Sequence, residues 1–297
     1  MRFSVRVPAS SANLGSGFDT LAVALNLFTE LQVERDGQSV EIQGGPDLTG
    51  GDNLIEQGIR VAAAAAGRPL PSCRVSVSSN IPVARGLGSS ATALVAGLVA
   101  GNRLMGEPLT KQRIFELATE IEGHGDNVSA SLFGGVTLSL MCREGVIYRQ
   151  VPLGTPLSVI LFVPDFHGLT VDARAVVPTV IPRRDAVANL GRCALLVLSL
   201  IDGDYAALGE AMQDSLHQPY RNALFPHVSP MIEAAVAAGA HGACLSGAGP
   251  SVLSFVDSAK AGCIVGVLNE VARAQGVGGE AIILEVEREG ATIDELQ

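Results

Sequence analysis

Residues 82–94 read PVARGLGSSATAL, a glycine-rich loop that runs into small and apolar residues. Before the loop, residues 73–79 alternate like a strand. After it, SSATALVAGLVAGNRL (89–104) is apolar nearly all round, which predicts a buried helix. Glycine lets backbone N–H groups approach an anion, and a helix start adds the positive end of its dipole. Because Gly86 and Gly88 directly precede the helix, the loop is predicted to bind an anion such as the phosphates of a nucleotide.

The loop differs from two common phosphate-binding motifs. A Walker loop needs GxxxxGK[ST], and neither lysine of the chain, Lys111 or Lys260, lies near a glycine cluster. Residues 86–91 do fit the dinucleotide pattern GxGxxA, but residues 82–85 separate the strand from the glycines, whereas a Rossmann turn follows its strand directly. On the loop alone, a tight turn under a closely packed helix stays open as an alternative.

Two further glycine-rich segments are SANLGSGFD (11–19) and LSGAGPS (245–251). The second is not the hydrolase elbow GxSxG, because Cys244 stands where the first glycine before Ser246 would be. The sequence also lacks HExxH, an EF-hand loop and a His/Cys cluster among its five histidines. These absences argue against a structural zinc site.

Composition restricts the class of protein. The chain has 297 residues, 47% of them hydrophobic and 17% charged, which predicts an ordered globular protein of about two domains. A net charge of −10 argues against a nucleic-acid-binding surface, but not against a local site for one small anion. Eighteen of the twenty basic residues are arginines, the residue that best recognises carboxylate and phosphate groups in a bidentate way.

The sequence contains no signal for export or membrane insertion. Its five cysteines are scattered and never spaced CxxC, which is typical of small core residues in a reducing compartment. The N-terminus, MRFSVRVPAS, lacks the apolar stretch of a signal peptide. The longest uncharged run, residues 86–102, is short for a membrane span. We therefore expect a cytoplasmic protein that binds neither membranes nor nucleic acid.

Strands and helices are interleaved without a regular βαβ rhythm, which favours an α+β fold. Strands are predicted at 3–9, 21–34, 73–79, 136–142, 146–153, 157–165, 243–246, 251–256 and 281–287. Helices are predicted at 53–67, 89–104, 110–123, 185–201, 205–218 and 231–240. Asp52 is expected to cap the first helix, and a turn is expected at Asp36 and Gly37. The strand near residue 157 marks the predicted boundary between domains 1–155 and 156–297.

The three glycine-rich segments, in this order, resemble the three motifs of the GHMP kinases, the galactokinase, homoserine kinase, mevalonate kinase and phosphomevalonate kinase superfamily. The match is carried by PASSANLGSGFD (8–19), PVARGLGSSATA (82–93) and GACLSGAGPSV (242–252). Within it the chain is most similar to the homoserine kinase family, through VPASSANLGSGFDTLAVAL (7–25), EGHGDNVSASLFGG (122–135), TVDARAVVP (170–178) and LHQPYRNALFP (216–226). The joint match extends from about residue 5 past residue 256 and is more specific than any single loop.

This resemblance implies a two-domain GHMP kinase fold. Its N-terminal domain is like the second domain of ribosomal protein S5, and its C-terminal domain is ferredoxin-like, with nucleotide and substrate meeting in the cleft between them. The resemblance also implies ATP and Mg²⁺, and phosphorylation of the side-chain hydroxyl of L-homoserine to O-phospho-L-homoserine, a step toward threonine. A homodimer is the common assembly of such proteins.

The resemblance assigns the ATP end of the site. Main-chain donors at a helix N-terminus, in place of a lysine, would hold the phosphates. The residues of this cradle are Pro82, Val83, Ala84, Arg85, Gly86, Leu87, Gly88, Ser89, Ser90, Ala91 and Thr92. Ser90 and Glu122 match the Mg²⁺ ligands and supply the hard oxygen atoms that this ion prefers, with Glu120 as the alternative to Glu122. Asn53 matches an adenine-contacting asparagine, and a helix cap is its alternative role.

At the acceptor end, the family's residues offer one partner for each group of homoserine. Arg174 and Arg221 correspond to the arginines that bind its carboxylate, and a two-arginine clamp would fix a small zwitterion. Asp19 suits the ammonium group. The remaining residues implied at this end are Asn13 beside Asp19, His124, Asp126 and Asn127 around the hydroxyl, and Thr170 one helical turn before Arg174.

The proton transfer is the open part of the mechanism. Many relatives in the superfamily carry a catalytic aspartate at the position that matches Asn127. The homoserine kinase branch resembles this chain in having asparagine there. Our hypothesis is that no strong general base acts and that positioning, Mg²⁺ and helix N-terminal donors suffice. Asp126 is the rival base. Two other functions are weighed: a kinase of L-threonine or a mevalonate-type acid, and a non-catalytic nucleotide-binding regulator, against which the intact GLGSS, Glu122 and both arginines argue.

Overall fold

The computed structural model describes residues 1–36, 39–45 and 53–296. One sheet contains seven of the described strands: β1 (Arg2–Ala12), β2 (Leu21–Glu34), β3 (Val40–Gly44), β4 (Cys73–Ser79), β5 (Val136–Cys142), β6 (Gly145–Val151) and β11 (Thr292–Glu295). Their order is β11-β1-β2-β4-β3, and β5 pairs with the first residues of β2 and with β6. The chain's last strand thus returns to the sheet that its first strand began.

Four helices pack with this sheet around a shared apolar core: α1 (Leu54–Ala65), α2 (Ser89–Leu104), α3 (Lys111–Glu122) and α4 (Asp126–Phe133). Helix α2 is buried along nearly its whole length, as its all-round apolar sequence predicts. Gly97 lets α1 approach α2 closely, since a Cβ atom at this position would lie 2.2 Å from the carbonyl oxygen of Ile55. This close packing fixes the start of α2, where the glycine-rich loop ends.

The second sheet contains β7 (Ser158–Pro164), β8 (Gly242–Leu245), β9 (Val252–Val256) and β10 (Gly279–Glu285) in the order β10-β7-β9-β8. Its strands and the helices α9 (Val228–Ala237) and α10 (Ala261–Ala274) follow the β-α-β-β-α-β order of a ferredoxin-like fold. Strand β7 is buried on both sides, with Ile160 and Phe162 against α9 and α10 and Val159 and Leu161 in a core shared with the first sheet. The predicted two-part α+β fold is therefore confirmed.

Four more helices lie between β7 and α9: α5 (Thr170–Ala175), α6 (Arg183–Asp202), α7 (Leu208–Ala211) and α8 (Gln218–Arg221). The single helix predicted over 205–218 is wrong, because the chain turns between α7 and α8. The carboxylate of Asp214 accepts hydrogen bonds from the backbone N–H groups of Leu216, His217 and Gln218, which replaces helical pairing by a side-chain cap. This turn brings α8 to the cleft.

The other predicted elements are confirmed to within a few residues at their ends. Six of the helices and strands named above were not predicted. They are β3, α4, α5 and α8, which are all eight residues or shorter, α10, and β11, which needs β1 as a partner. The cap assigned to Asp52 and the turn at Gly37 lie outside the described residues. The boundary at residue 155 falls between β6 and β7, while β11 belongs to the first sheet.

Among the described residues, no helix is long and apolar enough to cross a membrane. All five cysteines carry free thiols. Three of them, Cys73, Cys193 and Cys244, are at least half-buried, and burial raises the pKa of each thiol, to about 11 for Cys73 and about 12 for Cys244. Such thiols are poor nucleophiles, which fits the predicted core role for these three. Cys142 and Cys263 are exposed, so the core role predicted for all five cysteines is wrong for these two.

Candidate active site

A cleft of about 570 Å³ lies between the two halves of the molecule. The predicted residues that line it are Asn13, Asp19, Val83, Ala84, Arg85, Gly86, Leu87, Gly88, Ser89, Ser90, Glu122, His124, Asp126, Asn127, Thr170, Arg174 and Arg221. A second cavity, of about 640 Å³, is lined by residues such as Gln150, Ser158 and Glu285 and contains none of the predicted residues. Since the predicted groups come from distant parts of the chain, their convergence makes the smaller cavity the candidate site.

The glycine-rich loop forms one wall of the cleft and ends at the N-terminus of α2. Gly86 and Gly88 both have positive φ, at 73° and 67°, a region that glycine adopts without strain. A Cβ atom on Gly86 would lie 2.0 Å from the carbonyl oxygen of Ser246, and one on Gly88 would lie 2.3 Å from the Ser10 hydroxyl. No side chain among the described residues caps this helix start. Its first N–H groups are thus available to an anion in the cleft.

The three glycine-rich segments meet at this wall. The hydroxyls of Ser11 and Ser246 lie 2.8 Å apart, and the Ser246 hydroxyl donates to the carbonyl of Gly86 over 2.7 Å. The Asn13 amide donates to the carbonyl of Gly247 over 2.8 Å. Each segment therefore holds another in place, so that the three glycine-rich segments form one folded unit.

Four of the predicted nucleotide-binding residues either form hydrogen bonds within the protein or lie outside the cleft lining. Arg85 spans the two halves, donating to the carbonyls of Val83, Pro164 and Asp165. Thr92 is buried and donates to the carbonyl of Gly88 over 2.8 Å. The remaining two residues, Pro82 and Ala91, are outside the cleft lining. The loop thus presents main-chain groups to the cleft, while hydrogen bonds from the Arg85 and Thr92 side chains hold the loop in place.

Asn53 is the N-cap of α1. Its side-chain oxygen accepts hydrogen bonds from the N–H groups of Ile55 at 3.0 Å and Glu56 at 3.3 Å. The neighbouring Leu54 lines the cleft. The cap role is thus observed, and contact with an adenine stays a prediction.

Glu122 lies beside the helix start at the far end of α3. Its carboxylate accepts a hydrogen bond from the Ser90 hydroxyl over 2.9 Å. Burial raises the pKa of Glu122, and the charge of His124 and the Ser90 hydrogen bond oppose that rise only in part. Glu120 is exposed and lies 3.8 Å from Arg113, on another side of the helix. Glu122, not Glu120, therefore shares a corner of the cleft with Ser90.

His124, Asp126 and Asn127 form a hydrogen-bonded group at the start of α4. The Asp126 carboxylate lies 2.6 Å from His124 Nδ1 and accepts the N–H of Asn127 over 2.8 Å. The Asn127 side-chain oxygen accepts the Ser10 hydroxyl over 2.9 Å. Burial disfavours the charged form of His124, but the hydrogen bond and charge of Asp126, with the charge of Glu122, outweigh it and raise its pKa. Asp126 thus orients His124 and favours its cationic form.

Arg174 and Arg221 line the opposite end of the cleft in different states. Arg174 is paired with Asp19 through two hydrogen bonds of 2.8 and 3.1 Å, and both side chains are partly exposed. Arg221 is only 2% exposed, and its recorded partners are neutral: the carbonyls of Ala173 and Gly247 and Nδ1 of His217. Burial lowers the pKa of Arg221 to about 10, with the charge of Arg174 adding to the effect. At neutral pH Arg221 is a buried cation at the cleft wall.

The comparisons with known proteins agree with this geometry. Residues 53–135 match the family model of the GHMP kinases N-terminal domain, and residues 196–273 match the GHMP kinases C-terminal model. The homoserine kinase of Desulfitobacterium hafniense is 41% identical over 97% of this chain and 99% of its own length. The chain belongs to the homoserine kinase family of the GHMP kinases.

Two further relatives extend the comparison. The homoserine kinase of Deinococcus radiodurans is 40% identical over 98% of this chain and 97% of its own length. The crystal structure of homoserine kinase from Cytophaga hutchinsonii superposes with a TM-score of 0.88 and 28% identity, covering 98% of this chain and 97% of that one. The family predicted from the three glycine-rich segments is thus confirmed over nearly the whole chain.

Sequence reasoning missed His217, which holds the Arg221 side chain at the cleft wall through a 3.0 Å hydrogen bond. Its ring is fully buried, stacks on Phe18 at 4.9 Å and lies 2.9 Å from the carbonyl of Gly15 through Nε2. Burial and the charge of Arg221 lower the pKa of His217 to about 4, against the opposing charge of Asp214. Since Arg221 only donates, Nδ1 of the neutral ring must accept, and Nε2–H donates to Gly15. The spacing of His217 and Arg221, four residues apart, was the available signal.

Proposed function

We propose that this chain is a homoserine kinase: it transfers the γ-phosphoryl group of ATP to the side-chain hydroxyl of L-homoserine, giving O-phospho-L-homoserine and ADP. The observation that carries the proposal is one cleft with a helix N-terminus at one end that no described side chain caps and, at the other, a buried arginine whose hydrogen bonds within the described residues all go to neutral groups. The first suits a polyphosphate, and the second suits the carboxylate of a small acceptor. This reaction is a step toward threonine.

The helix start of α2 supplies the phosphate-binding end. Main-chain N–H groups that follow Gly88 face the cleft without a side-chain cap. They would bind phosphate oxygens together with the positive end of the helix dipole, so that a lysine is not required. Because these donors are fixed by the contacts of Gly86 and Gly88 with the other two glycine-rich segments, they need no rearrangement as charge develops on the phosphates.

Ser90 and Glu122 fit a magnesium ion. Both offer oxygen ligands, they are already 2.9 Å apart, and burial raises the pKa of Glu122, so a cation bound beside it would favour its charged form. A bound Mg²⁺ would neutralise phosphate charge. The pair of residues therefore serves as a preformed anchor at the corner of the cleft.

The acceptor end has a charge pattern that matches an amino acid. Arg221, held by His217 and two carbonyls, and the neighbouring Arg174 would bind the carboxylate of homoserine. Asp19 would receive the ammonium group, exchanging part of its pairing with Arg174 for the substrate. Asn13 holds Asp19 by accepting its backbone N–H over 3.0 Å. An acceptor fixed at both charged groups presents its hydroxyl in a restricted set of positions, which favours in-line transfer.

Proton removal from the hydroxyl needs no strong base in this proposal. The Asp126 carboxylate already contacts His124 and the N–H of Asn127, and Asn127 cannot act as a base. The transition state of phosphoryl transfer is loose, and the proton leaves late, to phosphate or solvent. His124, with its raised pKa, adds positive charge near the transferring group. Thr170 lines the cleft at the start of α5 and borders the acceptor.

A panel assay tests the proposed reaction. Purified protein with Mg-ATP is given homoserine, threonine, serine, mevalonate and 4-hydroxybutanoate, which is homoserine without its ammonium group, and ADP release is followed. Homoserine should give the highest kcat/KM, and 4-hydroxybutanoate should lose about 10- to 100-fold, since a charge-assisted hydrogen bond contributes about 1.5–3 kcal/mol. Faster turnover of threonine, serine or mevalonate would overturn the substrate assignment.

The predicted cytoplasmic location and homodimer belong to the same proposal. The free thiols of all five cysteines are consistent with a reducing compartment.

A further inference from the structure

The buried ring of His217 contacts two parts of the acceptor end that come from different halves of the molecule. Its Nδ1 accepts a hydrogen bond from Arg221 of α8 over 3.0 Å, and its Nε2–H donates to the carbonyl of Gly15 over 2.9 Å. Phe18, the residue before Asp19, stacks on the ring with 4.9 Å between the ring centroids. One side chain therefore links Arg221 to the first glycine-rich segment, which carries Asp19.

The hydrogen bonds of Arg221 fix the plane of its guanidinium group. Nε donates to the carbonyl of Ala173 over 3.0 Å, and Nη1 donates to His217 and, over 3.1 Å, to the carbonyl of Gly247. Within the described residues Nη2 has no hydrogen-bond partner, so its two N–H groups are left for a ligand at the cleft wall. Because the group is planar, holding two of its nitrogen atoms sets the direction of the third. His217 thus helps to determine where a carboxylate binds.

The His217 ring is itself held firmly in place. Its side chain is fully buried, and the buried carboxylate of Asp214 accepts the backbone N–H groups of His217 and Gln218, each over 2.7 Å. The side chain of Gln218 accepts the N–H of Leu245 on β8 over 2.7 Å, which ties this turn to the second sheet. Since burial lowers the pKa of His217 to about 4, the ring stays neutral at physiological pH and keeps both of its hydrogen bonds.

The two groups that His217 links would bind opposite charges of the acceptor. Arg221 is the proposed partner of the carboxylate, and Asp19 is the proposed partner of the ammonium group. Burial lowers the pKa of Arg221 and the charge of Asp19 opposes that shift, as expected for groups that lie near each other. In an α-amino acid both charged groups are attached to one carbon atom. The separation between their two binding partners therefore discriminates between α-amino acids and longer zwitterions.

We propose that His217 is a positioning residue that fixes the separation between Arg221 and Asp19 and thereby matches the cleft to an α-amino acid. The inference rests on the proposed function, because it concerns the acceptor end of the same cleft. His217 is not one of the residues that line the cleft, so it acts through Arg221 and Phe18 and not by touching the acceptor. Its replacement should change the choice among acceptors and leave ATP binding nearly unchanged.

A homologue of homoserine tests the separation. 3-Amino-5-hydroxypentanoate has one extra methylene between the ammonium-bearing carbon and the carboxylate, and its hydroxyl end is unchanged. Calorimetric titration with Mg²⁺ and a non-hydrolysable ATP analogue present should show the parent binding homoserine at least about tenfold more tightly than this homologue. Phe18→Leu and His217→Asn both remove the stacked ring pair, so this preference should fall about 2- to 10-fold in each.

4-Hydroxybutanoate tests the Arg221 contact separately, because it carries the carboxylate without the ammonium group. The side-chain oxygen of asparagine can take the place of Nδ1, so His217→Asn should bind this analogue as tightly as the parent does. The longer side chain of His217→Gln places its amide at the position of Nε2 and leaves Arg221 without this acceptor. Its dissociation constant should rise about 3- to 10-fold. A purely structural role for His217 does not predict such a difference between the two variants.

His227→Gln is the matched control. Like His217, His227 is buried and its Nε2 lies 2.9 Å from a backbone carbonyl, that of Pro250, but its described contacts include neither Arg221 nor the first glycine-rich segment. It should leave all three dissociation constants unchanged, while it reports the cost of replacing a buried histidine. Thermal unfolding checks the fold of every variant, and Phe18→Leu introduces no new polar group that could prevent folding.

The outcomes separate this inference from the proposed function. A parent that does not bind homoserine would contradict the function, and the inference would fail with it. A parent that binds homoserine, together with an unchanged preference over the homologue in Phe18→Leu and His217→Asn, would overturn the positioning role alone. Equal weakening of 4-hydroxybutanoate binding in His217→Asn and His217→Gln would also overturn it, as would an equal loss of preference in His227→Gln.

Discussion

The buried, charged side chain of Arg221 is best explained by an acceptor whose carboxylate binds to it. It is a nearly fully buried cation with neutral hydrogen-bond partners, and burial has already lowered its pKa. Burying a charge is costly, and the charges of Asp19, Asp214 and Asp126 only partly oppose the effect of burial on its pKa. A ligand carboxylate would therefore offset part of the remaining cost on binding. Sequence comparison predicted a two-arginine clamp. The structure adds that Arg174 is paired with Asp19, and we therefore propose Arg221 as the principal group that binds the acceptor carboxylate.

Arg221→Lys keeps the charge but loses the planar fork that contacts His217 and Gly247. We expect KM for homoserine to rise about 10- to 100-fold with KM for ATP nearly unchanged, because the loss of a charge-assisted hydrogen bond costs about 1.5–3 kcal/mol. Steady-state kinetics measures both constants. Arg192→Lys, which loosens contacts to Glu210 and Gln213 outside the cleft, is the control. An unchanged KM for homoserine in Arg221→Lys would contradict its role.

The Asp126→Asn variant distinguishes two roles of Asp126: orienting the His124 ring and acting as the general base. If Asp126 only orients His124, the single-turnover rate should fall by less than about tenfold, whereas loss of a general base costs about 100-fold or more. The pKa of His124 should fall in the variant, because burial would then act without the hydrogen bond and charge of Asp126. NMR titration of the His124 ring reads this shift. A hundredfold loss of rate with substrate binding intact would favour Asp126 as the base.

The same pair predicts a pH dependence of stability. A histidine with a raised folded pKa contributes stability that is fully present below its unfolded pKa, about 6.5, and that is lost as pH rises through the folded pKa. The contribution of His124 to the difference in free energy of unfolding between the parent and Asp126→Asn should therefore be larger at pH 5.5 than at pH 8.5. Urea unfolding at both pH values measures it, with His124→Gln as the reference that lacks the titration. If the free energy of unfolding of the parent exceeded that of Asp126→Asn by the same amount at pH 5.5 and pH 8.5, the result would contradict the coupling between Asp126 and His124.

At the scale of elements, the glycine-rich loop and α2 were predictable because their signals are local. The apolar run and the glycines before it fixed both the helix and its start. α10 was predictable in principle, since Ala261, Ile264, Leu268 and Ala272 recur at helical spacing and are buried. The turn between α7 and α8 was not, because it depends on the Asp214 side-chain cap and on close packing against Gly15, about 200 residues away in the sequence.

Gly88→Ala tests the loop as an element. The new Cβ atom would meet the Ser10 hydroxyl at 2.3 Å and the Asn127 side-chain oxygen at 2.9 Å, in addition to the cost of a positive φ. We expect a loss of about 1–3 kcal/mol in the free energy of unfolding and a raised KM for ATP. Gly67→Ala is the matched control, because Gly67 also has positive φ but its Cβ would meet no atom within 4 Å. Equal effects of both variants on KM for ATP would show that the contact with Ser10 and Asn127 does not matter.

At the scale of the whole molecule, the cleft is made by the joining of the two halves. The shared core of β7, α6 and the first sheet, the contacts among the three glycine-rich segments, and the reach of Arg85 to Pro164 and Asp165 all cross the junction. Sequence motifs predicted which segments meet, since the family places them in one site. They did not predict the Arg174–Asp19 pair or the setting of His217, because these contacts depend on how the halves are oriented.

A crystal structure with Mg²⁺, a non-hydrolysable ATP analogue and homoserine tests the central claim most directly. The account predicts phosphate oxygens within hydrogen-bonding distance of the main-chain N–H groups that follow Gly88, and the homoserine carboxylate on Arg221 with its hydroxyl directed at the γ-phosphate. Phosphates bound away from the start of α2, or an acceptor carboxylate that does not touch Arg221, would contradict it.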